Sequence, residues 1–103
     1  MTPRPSLDVV EAAERITAGV VVIDVRQPDE YADGHIEGAA LIPLGELPDR
    51  LAEVPIGEAV IVVCRSGNRS GAATDLLVGA GRGAWNLAGG MIAWSAADLP
   101  TTV

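Results

Sequence analysis

A chain of 103 residues has the length of one domain, so residues 1–103 are read as a single unit around one core. With 49% hydrophobic and 20% charged residues, the composition is that of a folded globular chain and not of a disordered one. Seven Arg and no Lys stand against 14 Asp and Glu for a net charge of -7, the wrong sign for attraction to nucleic acid or an anionic membrane, and neither is expected as a partner.

Asp8 and Glu11 have the spacing of a capping box, and Val9, Ala12, Ala13 and Ile16 recur at helical spacing until Gly19, which predicts a first helix. Residues 20–25 are rich in β-branched side chains and predict a strand buried on both faces, with Asp24 near its end. Pro28 suits the first turn of a short helix through Ala32 or Asp33, which Gly34 ends. Residues 39–42 read as a short strand, and Pro43 and Pro48 bracket a turn into a helix over 49–53. Residues 59–63 form the clearest buried strand. From 70 to 78, Ala72, Ala73, Leu76 and Leu77 share a helical face, and Gly79, Gly81 and Gly83 break that helix before a strand at 84–87. A last helix spans Gly90 or Met91 to Ala97. Such alternation predicts an α/β arrangement with a small, mainly parallel sheet flanked by helices.

Phe is absent and only Tyr31, Trp85 and Trp94 are aromatic, so the core is aliphatic and platforms for base stacking are missing. Without Lys there is neither Schiff-base chemistry nor a P-loop lysine. One Cys and one His fill neither an internal disulfide nor a structural zinc site, so no metal is expected and Cys64 acts as a single thiol. No amino-terminal stretch has the form of a secretory signal, and the longest apolar runs fall far short of the roughly 18 residues of a membrane span. A cytoplasmic location is expected.

Cys64 follows the strand at 59–63, and Arg65, Ser66, Gly67, Asn68, Arg69 and Ser70 lead directly into a helix. Ligands of open α/β sheets bind at the carboxyl ends of strands, where the first amides of the next helix lack intrahelical partners. A helix N-terminus and adjacent Arg side chains lower a thiol's pKa and favour the thiolate. Gly67 and Asn68 tolerate left-handed geometry, so successive amides of the loop can converge on a small anion. The plain alternative makes Cys64 a small buried hydrophobe at a strand end; two flanking arginines, costly to desolvate beside an inert thiol, argue against it. Of the two, Arg69 is expected to matter more, lying across the loop from the thiol, while Arg65 points to solvent.

The chain resembles the rhodanese-like sulfurtransferases in Asp24-Val25-Arg26, Asp29-Glu30-Tyr31, Gly34-His35-Ile36 with Gly38-Ala39, Cys64-Arg65-Ser66-Gly67-Asn68-Arg69-Ser70, and Asn86-Leu87 with Gly89-Gly90 and Trp94. The resemblance covers nearly the whole length. It implies a three-layer rhodanese-like fold in which Cys64 takes sulfane sulfur from a small anionic donor such as thiosulfate, becomes a persulfide, and passes the sulfur to cyanide or a thiol. A protein is a further acceptor it admits. Residues 65–70 bind the substrate, and no metal or organic cofactor takes part. Asp24 and Arg26 are expected to brace the loop by charge-assisted hydrogen bonds, with a catalytic carboxylate as the lesser reading of Asp24. His35 is expected to be structural rather than a general base, and Trp94 a core residue. Members associated with thiosulfate often carry consecutive basic residues after the Cys, whereas here Ser66 follows Arg65 and the second charge stands at Arg69. The resemblance therefore implies sulfur transfer more firmly than it implies thiosulfate.

Rival readings are a cysteine-dependent phosphatase, whose loop has five residues between Cys and Arg where this chain has four, and a non-catalytic persulfide carrier or sulfide-responsive protein-binding module.

Overall fold

Val60–Val63 is four aliphatic residues in succession, all buried, and the rest of the fold is arranged about this strand. The computed structural model describes residues 4–103. Its strands are β1 (Ser6–Leu7), β2 (Val22–Asp24), β3 (Ala40–Leu41), β4 (Val60–Val63) and β5 (Ala84–Leu87); its α-helices are α1 (Val9–Thr17), α2 (Pro28–Ala32), α3 (Asn68–Gly79) and α4 (Gly90–Ala96). A 3-10 segment covers Leu44–Glu53. The strands form one sheet in the order β1-β5-β4-β2-β3, parallel at every pairing.

Side chains alternate across a strand, and β4 divides its residues accordingly. Val60, Val62 and Cys64 join Ala73 and Leu77 of α3 and Leu47 of the 3-10 segment in one apolar cluster. Ile61 and Val63 join Ala12 of α1 with Met91 and Trp94 of α4 in the other. The result is the expected three-layer α/β fold, helices on both faces of a parallel sheet, which explains why the central strands read as continuous apolar runs. Among the described residues, no helix is long and apolar enough to cross a membrane.

Helix α1 begins as its sequence predicts, with the Asp8 carboxylate accepting from the Glu11 amide at 2.9 Å. The strands at 20–25, 39–42 and 59–63 shorten to β2, β3 and β4, while α3 begins at Asn68, two residues before the expected Ser70. The helix expected over 49–53 is instead the 3-10 segment that starts at Leu44 and runs through Pro48. Short 3-10 turns accommodate a residue without an N–H better than an α-helix does, and the backbone kinks at Arg50 (φ -119°, ψ 20°). Leu47 is fully buried there, with Leu44 and Leu51 packed alongside. Strand β1 had no counterpart in the expected elements: two residues are too few to show alternation, and only pairing of Ser6 and Leu7 with Asn86 and Leu87 defines it.

Candidate active site

Cys64 sits one residue beyond the end of β4, with its side chain on the α3 face of the sheet. Residues 64–67 lie outside regular structure before α3 begins, and Gly67 makes the turn at φ +103°. This left-handed conformation favours glycine. It also lets the Gly67 amide donate to Cys64 Sγ at 3.1 Å. From the other side, α4 grips the loop by its backbone: the amides of Met91 and Ile92 donate to the carbonyls of Cys64 and Arg65 at 2.9 and 3.0 Å. Gly90 (φ +56°) permits this approach, since a Cβ there would collide with both carbonyls.

The Ser70 hydroxyl, in the first turn of α3, lies 3.2 Å from Cys64 Sγ. Burial pushes the Cys64 thiol up, but hydrogen bonds from the Ser70 hydroxyl and from the amides of Ser70, Gly67 and Ser66 together outweigh it, so the thiol is held below its ordinary value. The lowering is in the expected direction, and of its two expected causes the helix start leads, through hydrogen-bond donors of the loop and the first turn of α3. Cys64 is only 1% exposed, yet it is surrounded by donors rather than by hydrocarbon alone.

Asn86 completes the site and was absent from the candidate residues. On β5 it shares the α3-facing side with Ala84, as alternation requires, and its Oδ1 accepts from the Ser70 hydroxyl at 2.6 Å. Its Nδ2 donates to the Gly67 carbonyl at 3.3 Å. The signal available in the sequence was an amide side chain inside an otherwise apolar strand.

Of the two arginines, Arg65 is exposed as expected, whereas Arg69 has a partner. Arg69 does not stand free across the loop: its Nη1 and Nη2 donate to the two carboxylate oxygens of Glu30 at 2.6 and 2.8 Å. Those hydrogen bonds, the largest influence on it, hold the Glu30 carboxyl down at about 2. Arg65 is exposed and forms no ion pair among the described residues. It borders an open cleft of about 430 Å³ with Arg26, Glu30, Asp33, Met91 and Ile92. The Ser66 and Asn68 side chains are exposed as well.

Asp24 and Arg26 form a buried pair, with Arg26 Nη2 2.8 Å from Asp24 Oδ2 and also donating to the Gly34 carbonyl at 2.8 Å. This brace ties the end of β2 to the turn after α2. Among the described residues, none of its side-chain hydrogen bonds reaches residues 64–70, so the expected brace does not touch the loop directly. His35 is stacked on Tyr31 at 3.5 Å, and its Nδ1 lies 2.8 Å from the Tyr31 carbonyl. Trp94 is buried and donates to the Pro100 carbonyl at 2.9 Å. A more enclosed apolar pocket of about 370 Å³, lined by Ile16, Ile36, Trp94 and Leu99, lies on the opposite face of the sheet from the Cys64 side chain.

Residues 8–97 match the rhodanese-like domain family. The chain is 41% identical over 85 residues to a protein of Allochromatium vinosum named sulfurtransferase, covering 82% of this chain and 79% of that one. It is 37% identical to the chloroplastic thiosulfate sulfurtransferase 16 of Arabidopsis thaliana, covering 93% and 91%. Other curated relatives are longer, and the chain spans 46% and 45% of two of them. Among solved structures, a rhodanese-related protein of Thermoplasma volcanium superposes with a TM-score of 0.90 at 31% identity, covering 95% of this chain and 97% of that one.

Proposed function

This chain belongs to the rhodanese-like domain family, and from that premise we propose that it is a sulfurtransferase that carries sulfane sulfur on Cys64. The observation that carries this reading is the hydrogen bonding of the thiol, which receives the Gly67 amide and lies against the Ser70 hydroxyl at the N-terminus of α3. Donors aimed at sulfur stabilise a thiolate before attack and leave amides in place for the persulfide anion afterwards.

In the first step Cys64 thiolate attacks the outer sulfur of thiosulfate; a new S–S bond forms, the donor's S–S bond breaks, and sulfite leaves with the electron pair. In the second step cyanide or a thiolate attacks the outer sulfur of the persulfide, and Cys64 departs as thiolate. Neither step calls for a metal or an organic cofactor. Thiosulfate as donor is supported by the name of the Arabidopsis relative and by the charge of Arg65 beside the loop, unpaired among the described residues, which attracts a small anion to an acidic protein. A phosphatase reading is disfavoured twice. Four residues separate Cys64 from Arg69, and Arg69 is engaged by Glu30 instead of being free to clasp a phosphoryl group.

Intact mass before and after thiosulfate tests the proposal. Gain of one sulfur atom, its removal by cyanide with release of thiocyanate, and its loss in Cys64→Ser are expected. A wild-type protein that takes up no sulfur, or a Cys64→Ser variant that does, would overturn it. Loading without repeated turnover would identify a persulfide carrier instead.

A further inference from the structure

Ser70 has a single hydroxyl proton and two acceptors within reach, Asn86 Oδ1 at 2.6 Å and Cys64 Sγ at 3.2 Å. We propose that Asn86 is a positioning residue: its amide oxygen holds the Ser70 proton whenever Cys64 Sγ is uncharged and yields it when Sγ is a thiolate. The hydroxyl then turns between the two acceptors as the site is loaded and emptied of sulfur. For the loaded state the proposal rests on the sulfur-transfer reading above; for the ionisation of the thiol it does not.

The amide has only one orientation that serves both of its neighbours. Nδ2 donates to the Gly67 carbonyl, so Oδ1 is the atom turned to Ser70, and reversing the group would set two oxygens against each other. In the neutral thiol, Sγ–H donates to Ser70 Oγ, whose hydroxyl donates a hydrogen bond to Asn86 Oδ1. A thiolate is the stronger acceptor because it is charged, and it draws the hydroxyl to itself. Asn86 is 7% exposed and Ser70 fully buried, so the amide oxygen then gives up a hydrogen bond that water does not readily replace. In the persulfide, Sγ is a divalent sulfur bonded to carbon and sulfur, a weak acceptor, while the charge resides on the outer sulfur. The hydroxyl returns to Asn86. Asn86 therefore disfavours the empty thiolate relative to both the thiol and the persulfide, and pulls the equilibrium toward loading.

The charged groups near Cys64 are Arg65 in the loop, Arg69 paired with Glu30, and Asp24 paired with Arg26. Half-buried Arg50 of the 3-10 segment pairs with the exposed Glu46 and Glu53. Strand β5 and helix α4 carry no titratable side chain. None of these groups hydrogen-bonds to Asn86, and all remain in the variants below.

The test is alkylation of Cys64 against pH in wild type, Asn86→Ala and Asn86→Leu, each with and without Ser70→Ala. Leu fills the amide's volume, so the pair separates loss of the oxygen from collapse of a cavity. Both Asn86 variants should move the inflection down by roughly half to one pH unit, the size of one hydrogen bond, and the shift should vanish in the Ser70→Ala background. An inflection that is unmoved or raised in both variants, or a shift that persists without the hydroxyl, would overturn the proposal. In a second arm, at pH above the inflection, half-loading as read by intact mass should require roughly three- to tenfold more thiosulfate in the Asn86 variants, the same shift expressed as a ratio. Unchanged loading would overturn the loaded-state half. If wild type takes up no sulfur at all, the sulfur-transfer reading fails, and the alkylation arm still decides the role of Asn86.

Discussion

Glu30 and Arg69, 39 residues apart in sequence, meet through two parallel hydrogen bonds of 2.6 and 2.8 Å. The same Glu30 Oε1 accepts from the Gln27 amide at 3.1 Å, at the start of α2. One carboxylate thus finishes a helix terminus and tethers the first turn of α3, which presents Ser70 to the thiol. Planar bidentate pairing gives this contact a defined direction.

Replacing Glu30 with Gln should lower stability by about 1 kcal/mol or less, because both side chains are partly solvated and such pairs contribute little. The pH dependence has a defined sign. A carboxyl held down at about 2 against an ordinary 4.5 contributes stability that is fully present above 4.5 and is lost as pH falls toward 2. Urea midpoints of wild type and Glu30→Gln should therefore differ at neutral pH and converge near pH 2. A gap that stays constant over that range would show that the ion pair contributes nothing to folding.

Thiosulfate capture should depend on Arg65 more than on Arg69. Arg65 is exposed and unpaired among the described residues, whereas the charge of Arg69 is largely neutralised by Glu30. Arg65→Ala should raise the half-saturating thiosulfate concentration and flatten its dependence on ionic strength. Arg69→Ala should do so less, while Glu30→Gln, by freeing Arg69, should tighten binding. Steady-state kinetics at low and high salt check the order; equal effects of the two arginine variants would refute it.

Ser70→Ala should raise the thiol's inflection. Its hydroxyl is the foremost of the donors that hold Cys64 below its ordinary value, and a hydrogen bond to a charged group is worth about 1.5–3 kcal/mol, or roughly one to two pH units. Reactivity with iodoacetamide at neutral pH should fall accordingly. No shift would mean that the loop amides alone set the ionisation.

Gly90→Ala should destabilise the protein by roughly 1–3 kcal/mol or more, the cost of a strained left-handed residue together with a steric conflict. Its Cβ would strike the Cys64 and Arg65 carbonyls, so the hydrogen bonds from Met91 and Ile92 to those carbonyls would be lost. Thermal unfolding and persulfide yield should both decline. A variant that kept wild-type stability and yield would show that α4 does not hold the loop.

What the sequence by itself determined was whatever depends on local pattern. Aliphatic runs mark β2 and β4, the Asp8 cap opens α1, Pro28 starts α2, and Cys64 before Gly67 and a helix marks the thiol at a strand end. Each of these is settled within a few residues by dihedral preference, capping or periodic burial. The tertiary structure alone decided the partners. Arg69 is occupied by Glu30 and Ser70 by Asn86 because parallel pairing carries β5 to the side of β4, and α2 to the mouth of the loop, with no trace of either neighbour in the residues around Cys64. Strand β1 exists only by pairing with β5. The 3-10 segment from Leu44 was hidden by Pro48, because a residue that breaks an α-helix is compatible with a tighter turn once Leu47 has a core to fill.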